Sequence, residues 1–120
     1  MFNKFKSQII YVQIRNNSLT IRSPKENKTV TLDAKKAFST NRLLIGEFTV
    51  AIELLTEGIH QLANSFIAPV IIMHPIENID EKLSEVEEKI FKELALNSGA
   101  KEAKLWLGNE LSDEELLDYE

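Results

Sequence analysis

The side chains able to do chemistry are few and widely spaced. His60 and His74 are the only two histidines, and histidine is the side chain that ordinarily titrates near neutral pH. His60 follows Ile59 inside a stretch of helical periodicity and reads as a partly exposed helix residue. His74 follows the apolar run Val70–Met73, which reads as a parallel strand. That places it at a strand's carboxyl end, where open α/β sheets hold ligands. With Glu77 and Asn109 it forms the candidate ligand site, weighed against the plainer reading of a polar residue closing a strand before Pro75. Glu81, Glu85 and Glu88 share a helix face, but lysines beside them mark that face as solvated. No serine stands in a G-x-S-x-G elbow. Gly46, Gly58, Gly99 and Gly108 stand apart, so neither a phosphate loop nor a dinucleotide fingerprint can be built. The chain has no cysteine, which excludes disulfides, iron–sulfur clusters and thiolate zinc sites. Residue chemistry points away from an enzyme and assigns no catalytic, cofactor-binding or metal residue.

The elements that must position these groups follow from periodicity. Gln8–Arg15 alternates Ile10, Val12 and Ile14 on one face and reads as a strand. Asn16-Asn17-Ser18 is a turn, because asparagine tolerates left-handed backbone angles. Leu19–Arg22 and Lys28–Leu32, joined across Ser23–Asn27, complete a three-stranded antiparallel meander. From Thr49 to Phe66 the apolar residues Ile52, Leu55, Ile59, Leu62, Ala63 and Phe66 recur at steps of three and four, the mark of a helix. Gly58 inside it weakens the helix by up to about 1 kcal/mol relative to alanine. Val70–Met73 is the buried strand, expected to end at His74-Pro75. A second helix, with Asp80 as expected N-cap, presents Leu83, Val86, Ile90, Phe91, Leu94 and Ala95 inward and stops at Asn97-Ser98-Gly99. Ala103–Leu107 is the last strand, and Ser112 caps a short acidic helix.

The 120 residues and 43% hydrophobic content fit one domain, 1–108, followed by an acidic tail, 109–120. The eight-residue apolar run Phe66–Met73 is too short to span a bilayer, and Met1–Ile14 lacks a signal peptide's apolar stretch; a cytoplasmic location is expected. Charge is polarised: residues 1–42 hold nine Lys/Arg against two acids, while 109–120 hold six acids and no base. Arg15, Arg22, Lys25 and Lys28 on the meander and Asp113, Glu114, Glu115 and Asp118 in the tail are the candidate interaction residues. Nucleic acid is not an expected partner, since the rest of the chain is acidic and only Tyr11 and Phe38 offer aromatic faces. Met1, Phe2 and Phe5 alternate with Lys4 and Lys6, a pattern able to make weak membrane-surface contact, peripheral to the inner membrane.

The element order β-β-β-α-β-α-β-α is that of a ribonuclease-H-like half-domain: α/β, a meander followed by two βα crossovers in a mixed five-stranded sheet. The chain resembles the bacterial actin-like rod-shape-determining (MreB) family over its first large subdomain. MFNKFK is similar to that family's basic-hydrophobic amino terminus, and Leu44-Ile45-Gly46-Glu47-Phe48 to its GVIADF segment. VIIMHPIENIDEKLSEVEEKIF resembles its strand–Val-Pro–loop–helix passage, and Asn97–Leu107 the strand towards its interdomain hinge. The family's Asp-x-Gly-Thr phosphate loop corresponds here to Gln13-Ile14-Arg15-Asn16-Asn17-Ser18, without acid or glycine. Its acidic pair is replaced by Gly108-Asn109-Glu110. The resemblance thus implies a non-catalytic protein-interaction module without cofactor or nucleotide hydrolysis, tied to cell-shape or cytoskeletal machinery. Its partner would be a second copy or an actin-like filament protein. The alternatives are a small-ligand binder or enzyme around His74, and a peripheral membrane module.

Overall fold

In the computed structural model, which describes residues 7–41, 43–62, 67–77 and 83–119, the β-branched N-terminal run forms β1 (Ile9–Arg15). It turns at Asn17, whose φ is 55°, into β2 (Ser18–Ser23), and β3 (Lys28–Asp33) follows. The helix α1 (Phe48–Leu62) leads to β4 (Val70–Pro75), then α2 (Glu85–Asn97), β5 (Glu102–Leu105) and the single-turn α3 (Asp113–Leu117). The strands lie in the order β3-β2-β1-β4-β5. The meander is antiparallel, and β4 runs parallel to both β1 and β5. The fold is therefore α/β with a mixed five-stranded sheet, as the residues predict.

Alternation sorts the sheet into two faces. Ile10, Val12 and Ile14, with Leu19, Ile21, Ile71 and Met73, pack against Ala51, Leu55 and Ile59 of α1 and Phe91, Leu94 and Ala95 of α2. On the opposite face Ile9, Tyr11 and Ile72 meet Leu111 and Leu116 from the C-terminal segment. Gly58 is buried where α1 crosses the meander: a Cβ there would stand 2.1 Å from Ile21 Cδ1. Close approach of helix and sheet is the reason for a glycine that local propensity disfavours.

Several boundaries differ from expectation. β4 continues through His74 and Pro75, which pair with Gln13 and Ile14. Val70 donates to the Gln8 carbonyl just before β1 and Ile76 to Ile14 within it, so alternation turns the nitrogen of Pro75 towards β5, whose pairing has already ended at Leu105 opposite Met73. A missing N–H costs nothing there. β5 itself spans Glu102–Leu105, short of the expected Leu107. The described N-cap of α2 is Ser84, in a reciprocal capping box with Glu87; Asp80 and residues 63–66, where α1 was expected to end, lie outside the described residues. Val86 is 70% exposed and not part of the inner face. Ser112 caps α3 with Glu115 as its reciprocal partner, and Gly99 takes the positive φ, 113°, just beyond the C-cap Ser98, both as read from sequence.

Candidate functional site

The sheet's order reverses between β1, whose chain neighbours lie to one side, and β4, whose neighbour lies to the other. In an open α/β sheet the carboxyl ends flanking that point hold ligands. Register sets Thr20, Gln13 and His74 side by side across β2, β1 and β4, with Arg22, Tyr11 and Ile72 in the next row of the same face.

His74 is buried and fully engaged. Its Nε2 lies 3.0 Å from the Gly108 carbonyl, which can only accept, so Nε2 carries the proton. Nδ1 then accepts from the Tyr11 hydroxyl at 2.5 Å, and Tyr11 Oη accepts in turn from the Leu111 N–H at 3.2 Å. Burial pushes the His74 pKa below its usual 6.5, although the Gly108 carbonyl and Glu110 pull the other way. Burial likewise raises Tyr11. The imidazole is a neutral linker between two sheet strands and the segment after β5.

The other two members of the predicted ligand site are also committed. Glu77 Oε1 accepts from the Asn16 N–H at 2.6 Å, tying the β1–β2 turn to the end of β4. The Asn109 carbonyl accepts from the indole N–H of Trp106 at 2.7 Å. His74 and Glu77 bond to the chain through their side chains, and Asn109 through its main-chain carbonyl.

The charge poles meet within the molecule. Arg22, with a side chain 19% exposed, pairs with Glu110 at 3.1 Å and Asp113 at 3.0 Å. It donates from Nη2 to the Leu111 carbonyl, and its guanidinium lies 4.9 Å above the Tyr11 ring. Arg22 and Asp113, expected to face a partner, are an internal clamp, because the segment after Leu105 folds back over the sheet. Glu115 closes its own helix cap. Arg15 donates weakly to Thr20, while Lys25, Lys28, Glu114 and Asp118 remain exposed. Tyr11 and Phe38, the aromatics considered for nucleic-acid stacking, are both buried. The membrane-contact residues Met1, Phe2 and Phe5 lie outside the described residues.

The residues that sequence reasoning overlooked are Gln13 and Glu110. A hydrogen bond from Gln13, and then Arg22, hold the Glu110 carboxyl below its ordinary value. Gln13 is a polar residue in an otherwise apolar strand centre, and that alone could have marked it. Among the described residues no three histidine, aspartate or glutamate side chains converge as a metal ion would require, and no helix is long and apolar enough to cross a membrane. Away from the strand ends, Leu43, Ile45, Phe48, Leu83, Val86 and Ile90 line an apolar groove of about 290 Å³.

The chain is 36% identical over 94 residues to the uncharacterised protein YjaA of Escherichia coli K12, covering 72% of this chain and 72% of that protein. The chain belongs to the YjaA family. No protein-family model matches it. For this YjaA-family chain the site is thus described by its own geometry: strand-end groups, His74 and Glu77 among them, bonded to the chain itself.

Proposed function

We propose that the chain is a non-catalytic protein-interaction module on a ribonuclease-H-like half-domain, akin to the first large subdomain of the actin-like rod-shape-determining proteins. The strand order, with an antiparallel meander extended by two parallel strands, supports the fold reading. The observation that carries the function is how the groups at the switch point are used: both His74 ring nitrogens, Glu77 Oε1 and the Arg22 guanidinium are engaged by the chain itself. A phosphate would have to displace those bonds, with no glycine between Gln13 and Ser18 to let backbone approach it.

The partner we propose is a second copy, paired through β3, which is the outer strand on its side of the sheet. Ala34 donates to the Asn17 carbonyl, so alternate residues donate inward and the N–H of Thr31 points outward. A twofold axis through Thr31 sets Val30 opposite the second copy's Leu32 on the helix side. On the other side it sets Thr29 opposite Asp33, and no like charges meet. The location consistent with this reading is the cytoplasm.

Two measurements separate the parts. Sedimentation of the wild-type chain should show a dimer at high concentration. Thr31→Pro, which removes the outward donor along with the exposed Thr31–Thr20 hydroxyl contact at 3.3 Å, should be monomeric with unchanged circular dichroism, while Thr31→Val, which loses only that contact, should still dimerise. A wild-type monomer at the highest concentration overturns the pairing. Thermal unfolding with ATP, GTP or ADP and Mg²⁺ should show no shift, whereas a nucleotide at a hundred times its Kd would add about 2.7 kcal/mol. A Mg²⁺-dependent shift overturns the non-catalytic reading.

A further inference from the structure

The segment from Trp106 to Tyr119 is held on the sheet by several bonds, beginning with the Trp106 N–H on the Met73 carbonyl and Gln13 on Glu110. Gly108 is held by His74, Leu111 by both Tyr11 and Arg22, and Glu110 and Asp113 by Arg22. Tyr119 returns to β5, its ring 5.4 Å from Lys104 Nζ. Beneath the segment, Leu111 and Leu116 cover Ile9, Tyr11 and Ile72. Its helix α3 is a single turn, too short to persist away from the sheet. Nε2 donates to Gly108 whether or not the ring is charged, but the bond that Nδ1 accepts from the Tyr11 hydroxyl, the same hydroxyl that holds the Leu111 N–H, requires a neutral ring.

We infer that the C-terminal segment is a latch over this sheet face, opened when His74 takes a proton and uncovering the Ile9–Tyr11–Ile72 surface. This goes beyond the proposed function and does not depend on β3 pairing. Protonation turns Nδ1 into a donor facing the Tyr11 hydroxyl. That hydroxyl already accepts from Leu111, so its own proton is left without the acceptor it had. The charged groups around the imidazole divide. Arg15 on β1 opposes a second positive charge, while Arg22 on β2 lies over Tyr11 and is paired with Glu110 and Asp113. Glu110 on the latch favours it, with Asp113 already bound to Arg22. Lys104 on β5 is opposite Ile72, one row away. Burial is the largest influence and acts against the charged ring.

The sign follows from linkage. The imidazole is harder to protonate closed than open, so the open form binds more protons. The closed form is at full strength above pH 6.5, the ordinary histidine value. The open-to-closed ratio then rises by up to about tenfold per pH unit below it, until the closed form's own lower pKa is passed. Glu110, held below its ordinary 4.5 by Gln13 and Arg22, would release Arg22 only in more acidic solution.

Trp106 is the only tryptophan and is packed against the Ile9–Tyr11–Ile72 cluster that opening would uncover, so its emission reports opening. In the full-length chain, acidification below pH 6.5 should shift Trp106 emission to the red while far-ultraviolet circular dichroism is retained. His74→Gln, which can still accept and donate but cannot titrate, should abolish that shift. No red shift down to the carboxylate range, the same shift in His74→Gln, or loss of circular dichroism in the same transition would each overturn the latch. If His74→Gln does not fold, the wild-type chain is followed by NMR. The His74 ring and the Leu111 amide must then titrate together, and a Leu111 amide that ignores the His74 transition overturns the inference.

Discussion

Replacing Arg22 by methionine tests whether the charge poles of this chain stabilise the fold or merely decorate it. Methionine keeps the apolar stem against Tyr11 and removes only the guanidinium. What is lost can be counted from its neighbours. A charged donor on the Leu111 carbonyl contributes about 1.5–3 kcal/mol, and the stacking on Tyr11 at 4.9 Å about 0.5–1 kcal/mol. The partner carboxylates Glu110 and Asp113 are 59% and 47% exposed, so each ion pair contributes only about 0.2–1 kcal/mol. These terms share one group and do not add in full; the expected loss is about 2–4 kcal/mol. Urea unfolding of both chains, followed by far-ultraviolet circular dichroism and by Trp106 emission, measures it. In 1 M salt, where the screening length is about 3 Å, the gap should narrow by no more than about 1 kcal/mol, because most of it is hydrogen bonding and stacking. A loss below about 1 kcal/mol, or a gap that vanishes in salt, would show that Arg22 is an ordinary surface ion pair and refute the clamp.

Gly58→Ala sets helix propensity against packing: the helix gains about 1 kcal/mol, while a methyl 2.1 Å from Ile21 Cδ1 costs about 1–3 kcal/mol. Net destabilisation is expected, with Ile21→Val relieving part of it in a double-mutant cycle; a stabilised single variant or an additive cycle would contradict the close packing. Asn17 holds φ at 55° and its Oδ1 accepts from both Phe38 and Ser39, so Asn17→Ala should cost about 2–3 kcal/mol in urea unfolding. Asn17→Gly, relieved of backbone strain, should cost roughly 1 kcal/mol less, and equal losses would deny the strain. Glu110, held below its ordinary 4.5 by Gln13 and Arg22, contributes stability that is complete above that pH and fades as acid protonates it. Glu110→Gln should flatten the acid limb of the stability–pH curve below 4.5, and an unchanged limb would remove Glu110 from the network.

The elements were largely legible because each rests on a local signal. The alternation of Ile10, Val12 and Ile14, the Asn16-Asn17 turn, the steps from Ile52 to Leu62 and the Ser112 cap all reappear where the residues place them. The errors lie where a local signal was read without its neighbours. His74-Pro75 resembles a strand's end, yet both residues stay in β4 because the nitrogen of Pro75 points to the side where β5 has already left. Val86 fits the periodicity of an inner face but stands in the solvent. At the site, His74 was legible as a strand-end residue, whereas its partners were not. Tyr11 and Leu111, joined by one hydrogen bond, are separated along the chain by almost its whole length, and no periodicity links them.

Composition and pattern by themselves determined the α/β class of this protein, the order of its elements and the opposite charge of its two ends. These follow from short-range rules: backbone preference, apolar period, turn chemistry and the residues simply present or absent. Only the tertiary structure decided that the opposite ends satisfy each other. Gly108, Glu110, Leu111 and Asp113 reach His74, Tyr11 and Arg22 because the chain, on leaving β5, turns back across the second sheet face to cover Ile9, Tyr11 and Ile72. An apolar surface that needs covering and a single arginine among acids set that return, and both become visible only once the strands lie side by side.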